Sequence, residues 1–396
     1  MMNKSISICI LGGGFGGLYT ALRLSQLPWE DSQIPKITLI DQRDRFLFSP
    51  LLYELITSEL ETWEIAPPYE ELLADTNINF HQGCVTSIDT DTKQVNLDNH
   101  SSLTYDKLVI ALGGKTPMTM VEGAKEYALP FRSLADAYGL KEKLRTLENS
   151  PAEKIRIAIV GGGYSGVELA CKIADRLGSR GRIRIIERGE DILSNSPEFN
   201  REKAKNALNA RKVWFDLETN VESVAEDSIS LMYKGEVDTI PVDIVLWTVG
   251  NKVSELVSSL PLKKNPAGLL TTNAHLQAEE QQDIFALGDL ADCTDSSGNK
   301  VPATAQSAFQ QSDYCAWNLW ASINNRPMLP FRYQNLGEMM ALGKDNATLS
   351  GLGVELDGSL GYITRRLVYL YRLPTLKHQL AVGLNWLGAP IRDFLK

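Results

Sequence analysis

Histidines and paired cysteines are scarce in this chain. Its four histidines (His81, His100, His275, His378) lie far apart, and its five cysteines (Cys9, Cys84, Cys171, Cys293, Cys315) include no C-x-x-C. Neither set has metal-ligand spacing, so no metal site is expected, and the thiols read as free and buried in a reducing compartment. Basic excess is also missing: a net charge of -9 argues against nucleic acid as the main partner. No apolar run reaches the roughly 18 residues of a membrane-spanning helix. A strand starts within a few residues of Met1, so no signal or transit peptide is expected. At 43% hydrophobic and 22% charged residues the composition is globular, and 396 residues leave room for two or three domains.

What is present is organised around Ser5 to Leu24, SISICILGGGFGGLYTALRL. Ile6, Ile8, Ile10 and Leu11 read as a buried strand, and Leu18, Ala21, Leu22 and Leu24 recur at helical spacing. Between them stands G-x-G-x-x-G as Gly12, Gly14 and Gly17, with Phe15 and Gly16 in the same turn. The first glycine permits a tight turn, the second lets backbone approach a pyrophosphate, and the third lets helix and strand pack closely. The N–H groups and dipole of the helix start favour an anion. A second strand, Lys36 to Ile40, ends in Asp41, placed to accept hydrogen bonds from a ribose diol, with Arg43 close behind. The segment from Asp44 to Glu54, holding Pro50 and Leu51, is unusually apolar for a loop at a strand end. It suits either packing on a flat ring system or ordinary core packing.

Short strands follow over residues 78 to 110 and halt at Gly113-Gly114, a sheet edge where backbone meets something closely. A charged, leucine-bearing helix is expected over 133 to 149, then a linker. The opening pattern now repeats in KIRIAIVGGGYSGVELACKIADRL, with Gly161, Gly163, Tyr164 and Gly166 in the turn. Its next strand ends at Glu187. A carboxylate there favours the 2'-hydroxyl of NADH, but Arg182, Arg184 and Arg188 nearby leave NADPH open. Glu168, in the first turn of the second helix, is either a carboxylate favoured by the helix dipole or a group placed where nicotinamide and flavin meet. Two dinucleotide folds in one chain suit two nucleotides exchanging electrons. A strand ending at Gly250 closes the second fold, and the chain returns through Ile284 to Ala291, where Gly288-Asp289 puts a carboxylate at a helix start, in reach of a ribityl hydroxyl.

With these three motifs in order, the chain resembles the two-dinucleotide-binding flavoproteins. The resemblance implies an α/β fold of two Rossmann-like domains, the second inserted in the first, binding FAD and NAD(P)H respectively. The expected division is 1–150 and 271–330 for FAD, 151–270 for NAD(P)H, and 331–396 as a C-terminal region. No redox C-x-x-x-x-C follows the first fold, which removes disulfide reduction. Ala305-Gln306-Ser307-Ala308-Phe309-Gln310 is similar to the A-Q-x-A-x-Q quinone-site motif of type II NAD(P)H:quinone oxidoreductases, and Glu168 matches the glutamate of that family's second motif. Carried over, Glu168, Gln306 and Gln310 would act at the reacting rings. Gly12, Gly14, Phe15, Gly16, Gly17, Asp41, Arg43, Pro50, Leu51, Gly113, Gly288, Asp289 and Ala305 would belong to the FAD site. Gly161, Gly163, Tyr164, Gly166, Glu187, Arg188 and Gly250 would belong to the nicotinamide-nucleotide site. Segments such as DQRDRFLFSPLLYEL, LVIALGGKTP and AFQQSDYCAWNLWA resemble the demethylphylloquinone reductase branch of oxygenic phototrophs. That likeness implies ping-pong reduction of a prenylated naphthoquinone in phylloquinone biosynthesis, with NADPH preferred. The alternative is general reduction of plastoquinone or ubiquinone types in respiratory electron transfer.

Residues 359 to 396 carry Arg365, Arg366, Arg372, Lys377, Arg392 and Lys396 against one acid, Asp393. Leucines and aromatics lie between them, and Pro374 divides two short amphipathic helices. Basic residues beside an apolar face suit a helix lying in a membrane interface, and a homodimer interface is the rival reading. The expected location is peripheral, on the cytoplasmic side of a thylakoid or plasma membrane.

Overall fold

The computed structural model describes residues 6–30 and 34–394, with side chains through 388 in the last helix. Lys396 and the side chains of Arg392 and Asp393 lie outside the described residues. The chain forms two compact units, one of residues 1–46, 66–115 and 251–334, the other of 47–65, 116–250 and 335–396.

The first unit is built on a five-stranded parallel sheet. Its order is Ile284–Ala286, Lys107–Ile110, Ser7–Leu11, Lys36–Asp41, Ile78–Gln82. The central strand is a continuous apolar run because both faces are covered: Ile8, Cys9, Ile10 and Leu11 are at most 1% exposed. The helix Phe15–Ser25 buries Leu18, Ala21, Leu22 and Leu24. A small antiparallel sheet, Val85–Asp89, Gln94–Leu97 and Ser102–Thr104, is added between the outer and returning strands.

The second unit repeats the plan. Its parallel sheet runs Trp214–Asp216, Gly181–Ile186, Ile155–Val160, Ile244–Trp247, Ala128–Pro130. The matching antiparallel addition is Thr219–Val224, Ser228–Tyr233 and Glu236–Pro241. In both sheets the outermost strand beyond the returning one comes from outside its own repeat. Ile284–Ala286 closes the first sheet by pairing with Leu108–Ile110.

The expected boundaries shift for physical reasons. Residues 116–150 group with the second unit because Ala128–Pro130 hydrogen-bonds to Ile244–Trp247. Residues 251–270 group with the first, where Val253, Val257, Leu260, Leu262 and Leu270 share a core with Cys9 and Leu11. The apolar segment around Pro50 is a short 3-10 turn, Ser49–Leu55, in the second unit.

The C-terminal region starts with a three-stranded antiparallel sheet, Glu338–Ala341, Ala347–Gly351 and Val354–Leu356, which hydropathy did not announce. Two helices follow, Gly358–Arg372 and Leu376–Phe394, longer than the short pair expected. Each presents an apolar stripe outward: Leu360, Ile363, Leu367 and Tyr371 on one, Leu376, Leu380, Leu384 and Leu387 on the other, all more than half exposed. Among the described residues no helix is long and apolar enough to cross a membrane.

Candidate functional site

Both glycine turns have the geometry that a pyrophosphate requires. Gly12 and Gly161 sit at φ +95° and +111°, backbone that side chains disfavour. A Cβ on Gly17 would overlap the Gly12 carbonyl oxygen, and one on Gly166 would overlap that of Gly161. At Gly14 and Gly163 an added Cβ would meet nothing within 4 Å, so the middle glycine of each motif faces open space. That is the cradle that an approaching diphosphate needs. The two turns therefore fit FAD and a nicotinamide dinucleotide.

The two strand-end acids are built alike. Asp41 accepts from Gly13 N–H at 2.6 Å and from Arg43 N–H at 2.8 Å. Glu187 accepts from Gly162 N–H at 2.7 Å and from Gly189 N–H at 2.8 Å. Each carboxylate thus closes its own glycine turn. Arg188 is exposed beside Glu187. Tyr164 is tied by its hydroxyl to Glu338 and accepts from Ser196 Oγ at 2.7 Å.

Within the first unit the helix Ala305–Ile323, capped by the Thr304 hydroxyl on Ser307 N–H, lies along the first glycine helix. Tyr19 meets Phe309 edge to face at 4.8 Å, and Arg23 pairs with Asp313 at 2.7 Å. Phe15, at the start of the glycine helix, meets Phe46 edge to face at 5.4 Å. Gly288 and Asp289 occupy the short turn Gly288–Leu290, with Gly288 N–H donating to the buried Gln311 at 2.8 Å. Gly12 to Gly17, Asp41, Arg43, Gly113, Gly288, Asp289, Ala305, Gln306 and Gln310 thus all fall in one unit. The two motif glutamines are engaged. Tyr333 donates to the Gln306 carbonyl at 3.0 Å. Gln310 pairs reciprocally with the Gln334 backbone, at 2.8 and 3.0 Å.

Glu168 lies in the second unit, in a buried ionic cluster that the sequence did not reveal. Its Oε1 accepts from Ala341 N–H at 2.8 Å and from Arg365 Nη2 at 3.3 Å. Arg365 is fully buried. It also donates to Glu54 at 2.5 Å and to the Pro50 carbonyl at 2.8 Å, and its guanidinium lies 4.8 Å from the Tyr369 ring centre. One turn beyond Glu168, buried Lys172 pairs with Glu59 at 2.5 Å. Tyr53, also buried, donates to Ser165 in the second glycine motif at 2.8 Å. Leu51, on the same 3-10 turn, is fully buried. Arg365, which the sequence reading assigned to a membrane-facing charge set, is therefore an internal counter-ion. A signal existed: Gly361 and Tyr369 flank it at helical spacing, and a Cβ on Gly361 would overlap the Ala347 carbonyl. That marks an inward face.

Burial dominates the electrostatics of Glu168. It raises the carboxyl to about 7, against the opposing pull of Arg365 and the Ala341 N–H. Glu54 is also buried, but Arg365, Lys172 and Arg366 outweigh that burial and hold it below the usual carboxylate range. The cluster thus holds one committed carboxylate and one whose proton is exchangeable near neutrality.

A family model described as pyridine nucleotide-disulphide oxidoreductase matches residues 6–312. The chain is 60% identical, over 98% of its length and 97% of the relative, to the demethylphylloquinone reductase NdbB of Synechocystis sp.. It is 43% identical, over 99% of its length and 82% of the relative, to an alternative NAD(P)H-ubiquinone oxidoreductase of Arabidopsis thaliana. Among solved structures, the NDH2 of Plasmodium falciparum in complex with NADH matches with a TM-score of 0.85 at 20% identity, covering 98% of each chain. That likeness speaks for the fold.

Proposed function

We propose, for a chain that belongs to the pyridine nucleotide-disulphide oxidoreductase family, that its reaction is NAD(P)H-dependent reduction of demethylphylloquinone, a prenylated naphthoquinone, to the quinol. The chain is an NAD(P)H:quinone oxidoreductase with FAD as its cofactor. The observation that carries the finer reading is the 60% identity to the Synechocystis reductase along almost all of both chains. A second reading, reduction of plastoquinone or ubiquinone types, is favoured by the 43% identity to the Arabidopsis enzyme.

FAD supplies two-electron chemistry between a nicotinamide and a quinone, and the protein's part is binding, orientation and exclusion of water. In our reading Gly12, Gly14 and Gly17 take the FAD diphosphate, Asp41 its ribose, and Asp289 its ribityl chain. Gly161, Gly163 and Gly166 take the NAD(P)H diphosphate. Glu187 takes its ribose diol, and Arg188 is at hand for a 2'-phosphate. Glu168 holds or releases a proton beside Arg365 and orients the reacting ring. Gln306 guides the quinone, and Gln310 acts by fixing the segment at Gln334. Steady-state oxidation of NADPH and NADH with demethylphylloquinone and plastoquinone analogues tests this. Fast turnover with the naphthoquinone supports it, and equal rates with every quinone favour the second reading.

The C-terminal helices are proposed to rest on a membrane surface, where a lipophilic quinone is met. The support is the two outward leucine stripes. Replacing Ile363 and Leu367 with Asp should abolish flotation with anionic vesicles. Retained flotation would sink the claim, and a wild-type dimer that the same changes split would favour a homodimer.

A further inference from the structure

A basic slot on the second unit has no part in the chemistry above. It is a cavity of about 340 Å³ bordered by Lys154, Arg156, Arg182, Arg184 and Lys212, with Trp214 at its rim. Its apolar side is formed by Ile240 and Val242, which pack with Ala158 and Ile186 on the arginines' face of the sheet.

Strand register explains how the cations come together. Arg156 and Arg182 are direct partners on neighbouring parallel strands, and Arg184 is partnered by Trp214 on the next. Paired residues, and residues two apart along a strand, share one face of a pleated sheet. Arg156, Arg182, Arg184 and Trp214 therefore line one face. Like charges in lateral register are destabilising, and the acids nearby answer few of them. Asp216 lies 3.3 Å from Arg184, and Asp243 accepts the Arg156 backbone N–H at 2.6 Å. Arg182 and Lys154 rest on the carbonyls of Ser179 and Gly181, which leaves most of the arginine's five donors unused. Among the described residues the side chains of Arg156 and Lys212 have no hydrogen-bond or ion-pair partner. Trp214 is 61% exposed. A chain of net charge -9 thus gathers five cations and an exposed indole around that apolar side.

The slot cannot be the nucleotide site. It opens where the strands Ile155–Val160, Gly181–Ile186 and Trp214–Asp216 begin, whereas the glycine turn follows Val160. At about 3.3 Å per residue, Arg156 and Gly161 are roughly 16 Å apart along the strand.

We propose that this slot binds a small organic oxyanion with a flat apolar body, its carboxylate or phosphate head on the arginine pair and its body between Trp214 and the apolar side. Guanidinium forks match such heads bidentately, and the cavity volume is that of a small-molecule pocket.

The test is calorimetric titration of the FAD-loaded full chain with biphenyl-4-carboxylate, inorganic phosphate and anionic phosphatidylglycerol vesicles. Two variants are compared with wild type, R156Q and W214A. Neither touches the cofactor sites, so flavin content and NAD(P)H oxidation stay unchanged and report folding. Saturable one-to-one binding of biphenyl-4-carboxylate, weakened at least tenfold in both variants, supports the proposal. Equal affinity for inorganic phosphate would overturn the apolar body. Identical binding by wild type and variants would overturn the site, and so would loss of vesicle binding alone in the variants, which would make it a lipid-docking patch.

Discussion

Replacing Glu168 with Gln should change how the protein's stability depends on pH. The carboxyl ordinarily titrates at 4.5, and burial raises it to about 7 in the native state. Below pH 4.5 it is protonated in both folded and unfolded chains and contributes no difference. Between pH 4.5 and 7 the unfolded chain ionises while the native one keeps its proton, so native stability falls as pH rises. Above pH 7 both are ionised and the loss is complete, at roughly 3 kcal/mol. Glutamine keeps an acceptor for Ala341 N–H and Arg365 but cannot ionise. The stability of E168Q relative to wild type should therefore improve by roughly 3 kcal/mol from pH 5 to pH 8, or about 5–10 °C in melting temperature for a unit of this size. Thermal melts of the FAD-loaded proteins at pH 5, 6, 7 and 8 measure it. Parallel profiles would show that the native carboxyl does not titrate in this range, and the burial argument would fail.

Other outcomes follow from the same geometry. R365M leaves Glu54 buried without its cation and should destabilise by roughly 3–5 kcal/mol; adding E54Q should restore part of that loss in a double-mutant cycle of urea melts. G17A places a Cβ on the Gly12 carbonyl, so the purified protein should lack flavin absorbance and melt earlier by roughly 3 kcal/mol or more of stability. E187Q weakens the charged acceptor for Gly162 and Gly189, and the KM for NADH should rise about tenfold, with that for NADPH changing less.

Much of the fold can be read in the sequence because its signals are local. Strand, glycine turn and helix are contiguous, so Ile8–Leu11 with Gly12 to Gly17, and their counterparts at Gly161 to Gly166, announce two dinucleotide folds. Asp41 and Glu187 follow at fixed distances from those turns, and each contacts its turn in the structure. Pairings between distant segments leave no such trace. The partnership of Ala128–Pro130 with Ile244–Trp247 sets the true boundary of the second unit, yet three residues containing one proline do not read as a strand. Arg365 meets Glu54 across 311 positions. An arginine in a basic, leucine-rich tail reads as surface charge until its neighbours Gly361 and Tyr369 show which way it faces. The reciprocal bonds of Gln310 with Gln334 are equally silent, since the motif names the residue without naming its partner.

This chain passes electrons from a nicotinamide nucleotide to a quinone. The decisive measurement is an anaerobic titration of the FAD-loaded protein that follows NADPH consumption and quinol formation together, with demethylphylloquinone as sole acceptor. Catalytic turnover is expected, with one quinol formed per NADPH oxidised. A flavin that NADPH reduces but that yields no quinol would contradict it and would point instead to a protein acceptor.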